Sequence, residues 1–339
     1  MFIINIWRKI SGSALFLFVA AVIFIISVNA AGRIMPQQQR ESGYAVQDNG
    51  KNNNYAAAEE KNKDLKYSEL LMKHSAEVPV LLYHHITDDV TSDTMVSPGT
   101  FEEHIKALTD NGYTGISFEQ LAAYVENGDE LPQNPIIITF DDGYLSNYEF
   151  AYPVLKKYNM KATIFVIGIS VGKDTYRDTQ DENYKMLPRF NYEQANEMIE
   201  SGLIAIQSHS YDMHHWELFE ELLNGEYRDG VLPLERESYY EYRENFMIDC
   251  TLAKTELESQ TRTQVIAYSY PHGKYSAESD DVLREMGIKS TVTLDYGSND
   301  IIKYMPETLY NLKRIHVNNI PAEKLLENIR NKKIIIDEE

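Results

Sequence analysis

The chain has 339 residues, 43% of them hydrophobic, with 32 basic side chains against 52 acidic ones and a formal net charge of −20. That balance excludes a protein whose folded part holds nucleic acid or an anionic lipid surface, since both need clustered positive charge. Cys250 is the only cysteine, which excludes an intrachain disulfide and a thiolate-held metal, so any bound metal must rest on His, Asp or Glu.

At the N-terminus, Arg8 and Lys9 precede an apolar run over residues 14–28 that Ser27 alone interrupts. A positive flank before an apolar stretch is the pattern of an export signal, and Val28-Asn29-Ala30 could end a cleavable one. Extended over residues 10–31, the stretch reaches the ~20 residues needed to cross a bilayer. Either way, the remainder of the chain is expected outside the cytoplasm, with the positive end inside. Residues 1–32 are read as a signal or, preferably, an uncleaved single-pass membrane anchor. Residues 33–76 are polar, with Asn52-Asn53-Asn54 and Glu59-Glu60-Lys61 among them. They bury too little apolar area to offset the entropy of ordering, and read as a linker.

Residues 77–336 are expected to fold as one α/β domain. Short apolar, β-branched runs predict strands over 78–83, 136–140, 162–167, 204–208, 265–270, 290–294 and 312–317. Helical patterns lie between them. Thr100 with Glu103, and Ser117 with Gln120, have the spacing of capping boxes. Asn191 caps a third helix, and Pro321 suits the first turn of the last. Alternating strands and helices imply parallel strands, whose C-terminal ends share one rim where loops build sites. Residues 172–190 and 216–242 read as insertions near that rim.

Four of the predicted strands end in groups able to do chemistry: Tyr83-His84-His85, Phe140-Asp141-Asp142-Gly143, Ser208-His209-Ser210 with His214 five residues after His209, and Tyr270-Pro271-His272-Gly273. Adjacent carboxylates at a strand end point in different directions, so one can bind a metal while the other faces substrate as a base. Taken alone, Asp-Asp-Gly is as well explained by a turn. Two histidines five apart can share an ion with Asp142, leaving open positions for water and substrate. His215 is a chemically identical rival to His214.

In combination and in this order, Thr139-Phe140-Asp141-Asp142-Gly143, His209-Ser210 through His214, and Tyr270-Pro271-His272-Gly273 resemble the NodB-homology polysaccharide deacetylases, carbohydrate esterase family 4. The opening Val80-Leu81-Leu82-Tyr83-His84 is similar to the branch that contains biofilm poly-N-acetylglucosamine deacetylases. The resemblance implies a distorted (β/α) barrel, here of about seven parallel strands, that removes acetyl groups from an acetylated polysaccharide. It implies that Asp141 is the base and that Asp142, His209 and His214 hold a divalent ion, zinc by preference, with cobalt or nickel possible. It implies that His84, on a strand moved to the front by circular permutation, protonates the leaving amine. It places a backbone N–H after Tyr270 in the role of oxyanion donor. Many members carry an Arg in the third motif that orients the base; here that position is Ser269. Arg314 is the candidate replacement. Tyr144, Tyr211, Tyr270, Pro271 and His272 are expected to line the sugar site.

Two alternatives use the same residues differently: an O-acetyl esterase, and a tethered glycan-binding protein that has lost catalysis. Which polymer is bound, whether peptidoglycan or poly-N-acetylglucosamine, stays open. The chain is expected to be monomeric, with no nucleic-acid partner and a membrane contact through its N-terminal segment alone.

Overall fold

A computed structural model describes residues 74–223 and 225–331 of the chain. The N-terminal apolar segment and nearly all of the polar linker lie outside the described residues. Among the described residues no helix is long and apolar enough to cross a membrane.

All seven expected strands form: β1 (Val80–Tyr83), β2 (Pro135–Phe140), β3 (Ala162–Val166), β4 (Ile204–Ser208), β5 (Ala267–Ser269), β6 (Ser290–Tyr296) and β7 (Leu312–His316). Each pairs in parallel with its neighbours in sequence, and β7 pairs in parallel with β1, so the sheet closes into a barrel. Parallel strands need crossovers, and helices supply most of them. Helices α1 (Pro98–Asp110) and α2 (Phe118–Asn127) join β1 to β2; α3 (Tyr152–Tyr158) and α4 (Tyr192–Glu200) make the next two crossovers. Helices α5 (Glu217–Leu223) and α6 (Tyr239–Thr261) join β4 to β5, α7 (Ala277–Glu285) joins β5 to β6, and α8 (Ala322–Asn331) follows β7. The β6–β7 crossover has no α-helix. It carries the strand Asn299–Ile302, paired antiparallel with Ser75–Val78, and this is one source of the barrel's distortion. That pairing also extends the ordered domain two residues into the stretch read as linker.

The strands obey a simple two-residue alternation. Leu81, Tyr83, Ile136, Ile138, Phe140, Ile164, Val166, Ile206 and Ile315 face outward and pack against the helices. Val80, Ile137, Phe165, Ala267, Val292 and Leu312 face inward, and Phe118, Leu121 and Val125 of α2 pack against them to close the lower end. Continuing the inward phase upward brings Leu82 and then His84, Thr139 and then Asp141, Gln207 and then His209, Ala267 and then Ser269, Leu312 and then Arg314. The apolar floor thus gives way to polar groups at the upper rim.

Some local expectations are corrected. Helix α1 starts at Pro98 with Ser97 as its cap, whose side chain accepts the N–H of Thr100, so the Thr100–Glu103 box does not form. Proline at the first position is pre-set for a helix and lacks only an N–H that would have no partner there. The boxes at Ser117–Gln120 and Asn191–Gln194 do form. Pro321 precedes α8, and its carbonyl accepts the N–H groups of Lys324 and Leu325. The second insertion ends at Ser238, which caps α6.

Candidate metal and catalytic site

Strand β2 delivers the two carboxylates. The Asp141 N–H donates to the Tyr83 carbonyl at 3.0 Å, continuing the β1–β2 ladder and fixing Asp141 on the inward phase. Asp142 would then point outward. Its φ of 72°, followed by 69° at Gly143, breaks the pleat and turns its side chain back over the rim. Gly143 is required here: an added Cβ would sit 2.8 Å from a Val166 methyl as well as being strained.

Asp141 is buried, and both its oxygens are taken. Arg314 donates to Oδ1 and Oδ2 at 2.8 Å each, a two-pronged ion pair inside the barrel. The Ser269 hydroxyl donates to Oδ2 at 3.1 Å, and the Arg314 guanidinium reaches the same hydroxyl at 3.2 Å. Arg314 is itself completely buried and held by the Thr293 carbonyl at 2.8 Å. Arg314 of β7, the candidate replacement for the third-motif arginine, thus pairs with Asp141, and Ser269 bonds to both. Burial alone would raise the Asp141 pKa, but Arg314 and His209 outweigh it and hold the group at about 2.

His209 donates from Nδ1 to the Ser269 carbonyl at 2.7 Å, the only role open to that nitrogen beside a carbonyl, which turns Nε2 toward the carboxylates. That Nε2 lies 3.5 Å from Asp142 Oδ1, and His214 Nε2 lies 3.4 Å from the same oxygen. One ligand atom from each of the three residues falls within 4.8 Å of the others. Asp142 Oδ1 is buried and has no hydrogen-bond partner. Burial pushes His214 down to about 3, against the pull of Asp142, so its imidazole is neutral. A buried carboxylate oxygen without a partner, facing two imidazole nitrogens, is a donor set that fits a divalent cation. His215, the rival, points elsewhere: Arg177 approaches its Nε2 at 3.0 Å and the Arg228 N–H its Nδ1 at 3.2 Å.

His84 stands half-buried on the inward phase with its carbonyl bonded to Asn147 at 2.7 Å. Burial lowers its pKa, while Asp141 and Asp142 raise it. His85 faces the other way and bonds to the Ser146 hydroxyl at 2.8 Å.

The expected sugar-lining residues divide. Tyr144 and His272 border the site. Burial and the Asp142 carboxylate raise the Tyr144 pKa. The His272 ring meets the His214 ring edge-on at 4.6 Å between centroids. Tyr211 packs its ring on Gly168, where an added Cβ would approach to 2.6 Å. Tyr270 is corrected. It lies on the outward phase of β5, its ring is completely buried, and its hydroxyl bonds to Asp280 at 2.6 Å, so no face is left for a sugar. Pro271 is buried as well, and Gly230 of the second insertion packs so close that a Cβ there would lie 2.4 Å from the Pro271 carbonyl. The expected oxyanion donor, a backbone N–H after Tyr270, is narrowed: the Tyr270 N–H itself is bonded to the Val292 carbonyl at 3.1 Å, and Pro271 has no N–H to offer. The first one beyond is that of His272.

Three contributors were missed. Arg189 lies 5% exposed with its guanidinium 3.8 Å over the Tyr144 ring. Trp216 sits 4.8 Å from His214, and together with Tyr144, Arg189, Leu187 and Phe219 it lines a groove of about 430 Å³ beside the ligands. Asp249 of α6 accepts the N–H groups of Tyr211 and Asp212, between the two histidines. Burial pushes its carboxyl up to about 6, with those two donors opposing. Its sequence signal was a charge placed among the apolar positions Tyr242, Phe246, Cys250, Ala253 and Leu257 of one helix face.

A profile of the polysaccharide deacetylase family matches residues 128–291. YxkH of Bacillus subtilis (strain 168), a proposed polysaccharide deacetylase by its name, is 32% identical over 243 residues, covering 72% of this chain and 72% of its own. The poly-β-1,6-N-acetyl-D-glucosamine N-deacetylase of Escherichia coli (strain K12) is 24% identical over 71% of this chain, which spans 37% of that longer protein. Among solved structures, a de-N-acetylase from Aggregatibacter actinomycetemcomitans superposes with a TM-score of 0.63 at 24% identity, over 76% of this chain and 100% of that one. The profile match stops short of both His84 and Arg314, which the first and last barrel strands supply.

Proposed function

We propose, from the premise that this chain belongs to the polysaccharide deacetylase family, that it hydrolyses N-acetyl groups of a poly-β-1,6-N-acetylglucosamine-type polymer outside the cytoplasm. The observation that carries the chemistry is the convergence of Asp142, His209 and His214 within 4.8 Å, with Asp141 clamped beside them by Arg314. The polymer follows from curated relatives in Escherichia coli and Staphylococcus aureus, both named poly-β-1,6-N-acetyl-D-glucosamine N-deacetylases. The location rests on the positive and apolar pattern of residues 1–32.

A divalent ion on Asp142, His209 and His214, zinc by its liking for two imidazoles and a carboxylate, supplies Lewis-acid polarisation and a lowered pKa for water. The protein's own groups do the rest. Asp141 stays ionised at any physiological pH and accepts the proton of the attacking water, in an orientation that Arg314 and Ser269 fix. His84, on the same inward phase, donates to the departing amine. Burial lowers the His84 pKa, and Asp141 and Asp142 oppose that lowering without overcoming it. Tyr144 and Trp216 offer aromatic faces to the sugar, and Arg189 backs the Tyr144 ring.

Acetate release from a panel of glycans tests the reading. β-1,6-linked N-acetylglucosamine oligomers, N-acetylated peptidoglycan and an O-acetylated xylan are each offered with and without a chelator. Chelator-sensitive release from the β-1,6 oligomers is expected. Release from the O-acetylated glycan alone makes the enzyme an esterase, and no release with full sugar binding makes it a binding protein.

A further inference from the structure

The two histidine ligands are joined by four residues, Ser210-Tyr211-Asp212-Met213, that leave strand β4 and must return His214 to within reach of the His209 ring. Such a loop has many conformations, and ligand affinity depends on which one it holds. Its carbonyls are tied on one side: Ser210 and Tyr211 accept the N–H groups of Gly168 and Ile169 at 3.0 Å each. Its N–H groups are tied on the other side by a single carboxylate. Asp249 Oδ2 accepts from Tyr211 at 2.9 Å and Oδ1 accepts from Asp212 at 2.7 Å. Ser210 is held at φ 73°, a conformation that costs a non-glycine residue energy and persists only where its neighbours enforce it. Asp249 itself is 6% exposed and sits mid-helix on α6, which packs along β4 and β5, so its own position is fixed by the barrel.

We infer that Asp249 is a positioning residue for the metal centre: by accepting two adjacent backbone N–H groups it sets the loop geometry that lets His214 share an ion with His209 and Asp142. The inference rests on the metal reading proposed above. Asp249 touches neither the ion nor the substrate. It acts in the way groups behind the ligands of other metal sites do, where their loss weakens binding by about 10–100-fold. Two N–H bonds to one ionised carboxylate are also the strong kind, and removing it strands two donors at once.

The test uses the full-length chain in mild detergent, stripped of metal and titrated with Co2+ against a chromophoric chelator. The parent is expected to bind one Co2+ with a visible ligand-field spectrum. Asp249→Asn, nearly the same in shape, replaces one acceptor oxygen with a donor that faces an N–H. It is expected to bind Co2+ about 10–100-fold more weakly, with a shifted spectrum. Phe246→Leu is the control for mere destabilisation: it loosens the same buried face of α6 one turn away, where the ring packs on Tyr242 and Tyr268. It is expected to lower Tm with the Co2+ affinity unchanged. Parent-like affinity and spectrum in a folded Asp249→Asn overturns the inference. If that variant does not fold, Asp249→Ser is read in the same way. Amide exchange in the parent decides without any variant, since rapid exchange at Tyr211 and Asp212 overturns the clamp. A parent that binds no Co2+ and works in chelator sinks the metal reading instead, which is a distinct result.

Discussion

The rim of the barrel and the wall beside it are held by different forces. At the rim, His84, Asp141, His209, Ser269 and Arg314 all continue the inward phase of a parallel strand. Their backbones continue the ladders, the Asp141, Ser269 and Arg314 side chains hold one another, and the Ser269 carbonyl holds His209. The wall is made of residues 172–190 and 216–238, whose described regular structure is the short helix α5 and two 3-10 turns. It stands on side-chain ion pairs. Arg177 meets Asp212 at 3.0 Å and Glu220 at 3.1 Å, Tyr176 donates to Glu220, and Arg228 meets Glu237 through two bonds of 2.9 Å. The rim places charge where bonds change, and the wall shapes what can approach. Substitutions at the rim should therefore act on kcat, and substitutions in the wall on KM and stability.

The strongest attempt to break this division is Asp141→Asn. It keeps the ligand set and the shape of the residue but removes the base. A fall in kcat of about 10²–10⁴-fold is expected, with KM and Co2+ affinity close to the parent. A variant that turns over normally would falsify the assignment of Asp141 as base.

Arg314→Met comes next. It leaves the Asp141 carboxylate buried without its partner, at a cost of about 3–5 kcal/mol. The base is also freed to rotate, and a misplacement of that kind costs about 10²-fold in rate. Denaturant melts and initial rates on the same preparation check both effects. Loss of stability with kcat unchanged would make Arg314 structural only and would blur rim into wall. Ser269→Ala removes one of the three donors to Asp141 and should move both quantities in the same direction by less.

How much of this was legible in the sequence depends on the kind of force. The seven strands were readable because a closed parallel sheet is buried on both faces, so its strands are short apolar runs. The ligand set was readable because three motifs had to coincide. What was misread was phase. Ser269 faces in, so Tyr268 and Tyr270 on either side of it must face out, and the ring of Tyr270 was never available to a sugar. The start of α1 turned on Ser97-Pro98, where a fixed proline φ outweighed the Thr100 box. Arg314 could be suggested but not placed, because its pairing with Asp141 spans 173 residues of sequence. The wall was legible as two insertions near the rim, but not the bonds that hold it. Its ion pairs join residues such as Arg177 and Glu220, whose types are ordinary surface types until the chain brings them together.

In the wall, Glu220→Gln should have the larger effect. Glu220 is 2% exposed and receives both Tyr176 and Arg177, so neutralising it weakens two bonds where water cannot replace them. A loss of about 1–3 kcal/mol in stability is expected, with kcat on a short oligomer within about twofold of the parent. A larger fall in kcat would mean that the wall holds the ligands as well as the substrate.

The smallest effect, and the finest test of the division, is Trp216→Ala. Its ring stands 4.8 Å from the ring of a ligand, His214, yet it lines the groove rather than the ligand cluster. If it serves only to stack on a sugar, its loss removes ~0.5–1.5 kcal/mol of binding, which is about a two- to tenfold rise in KM with kcat retained. Oligomer length sharpens the reading. A sugar stacked in the groove adds contacts only when the chain is long enough to reach it, so the KM penalty should grow from the monosaccharide to the tetramer. A penalty that falls on kcat equally at every length would instead mean that Trp216 supports His214, and the boundary between rim and wall would have to be moved to include it.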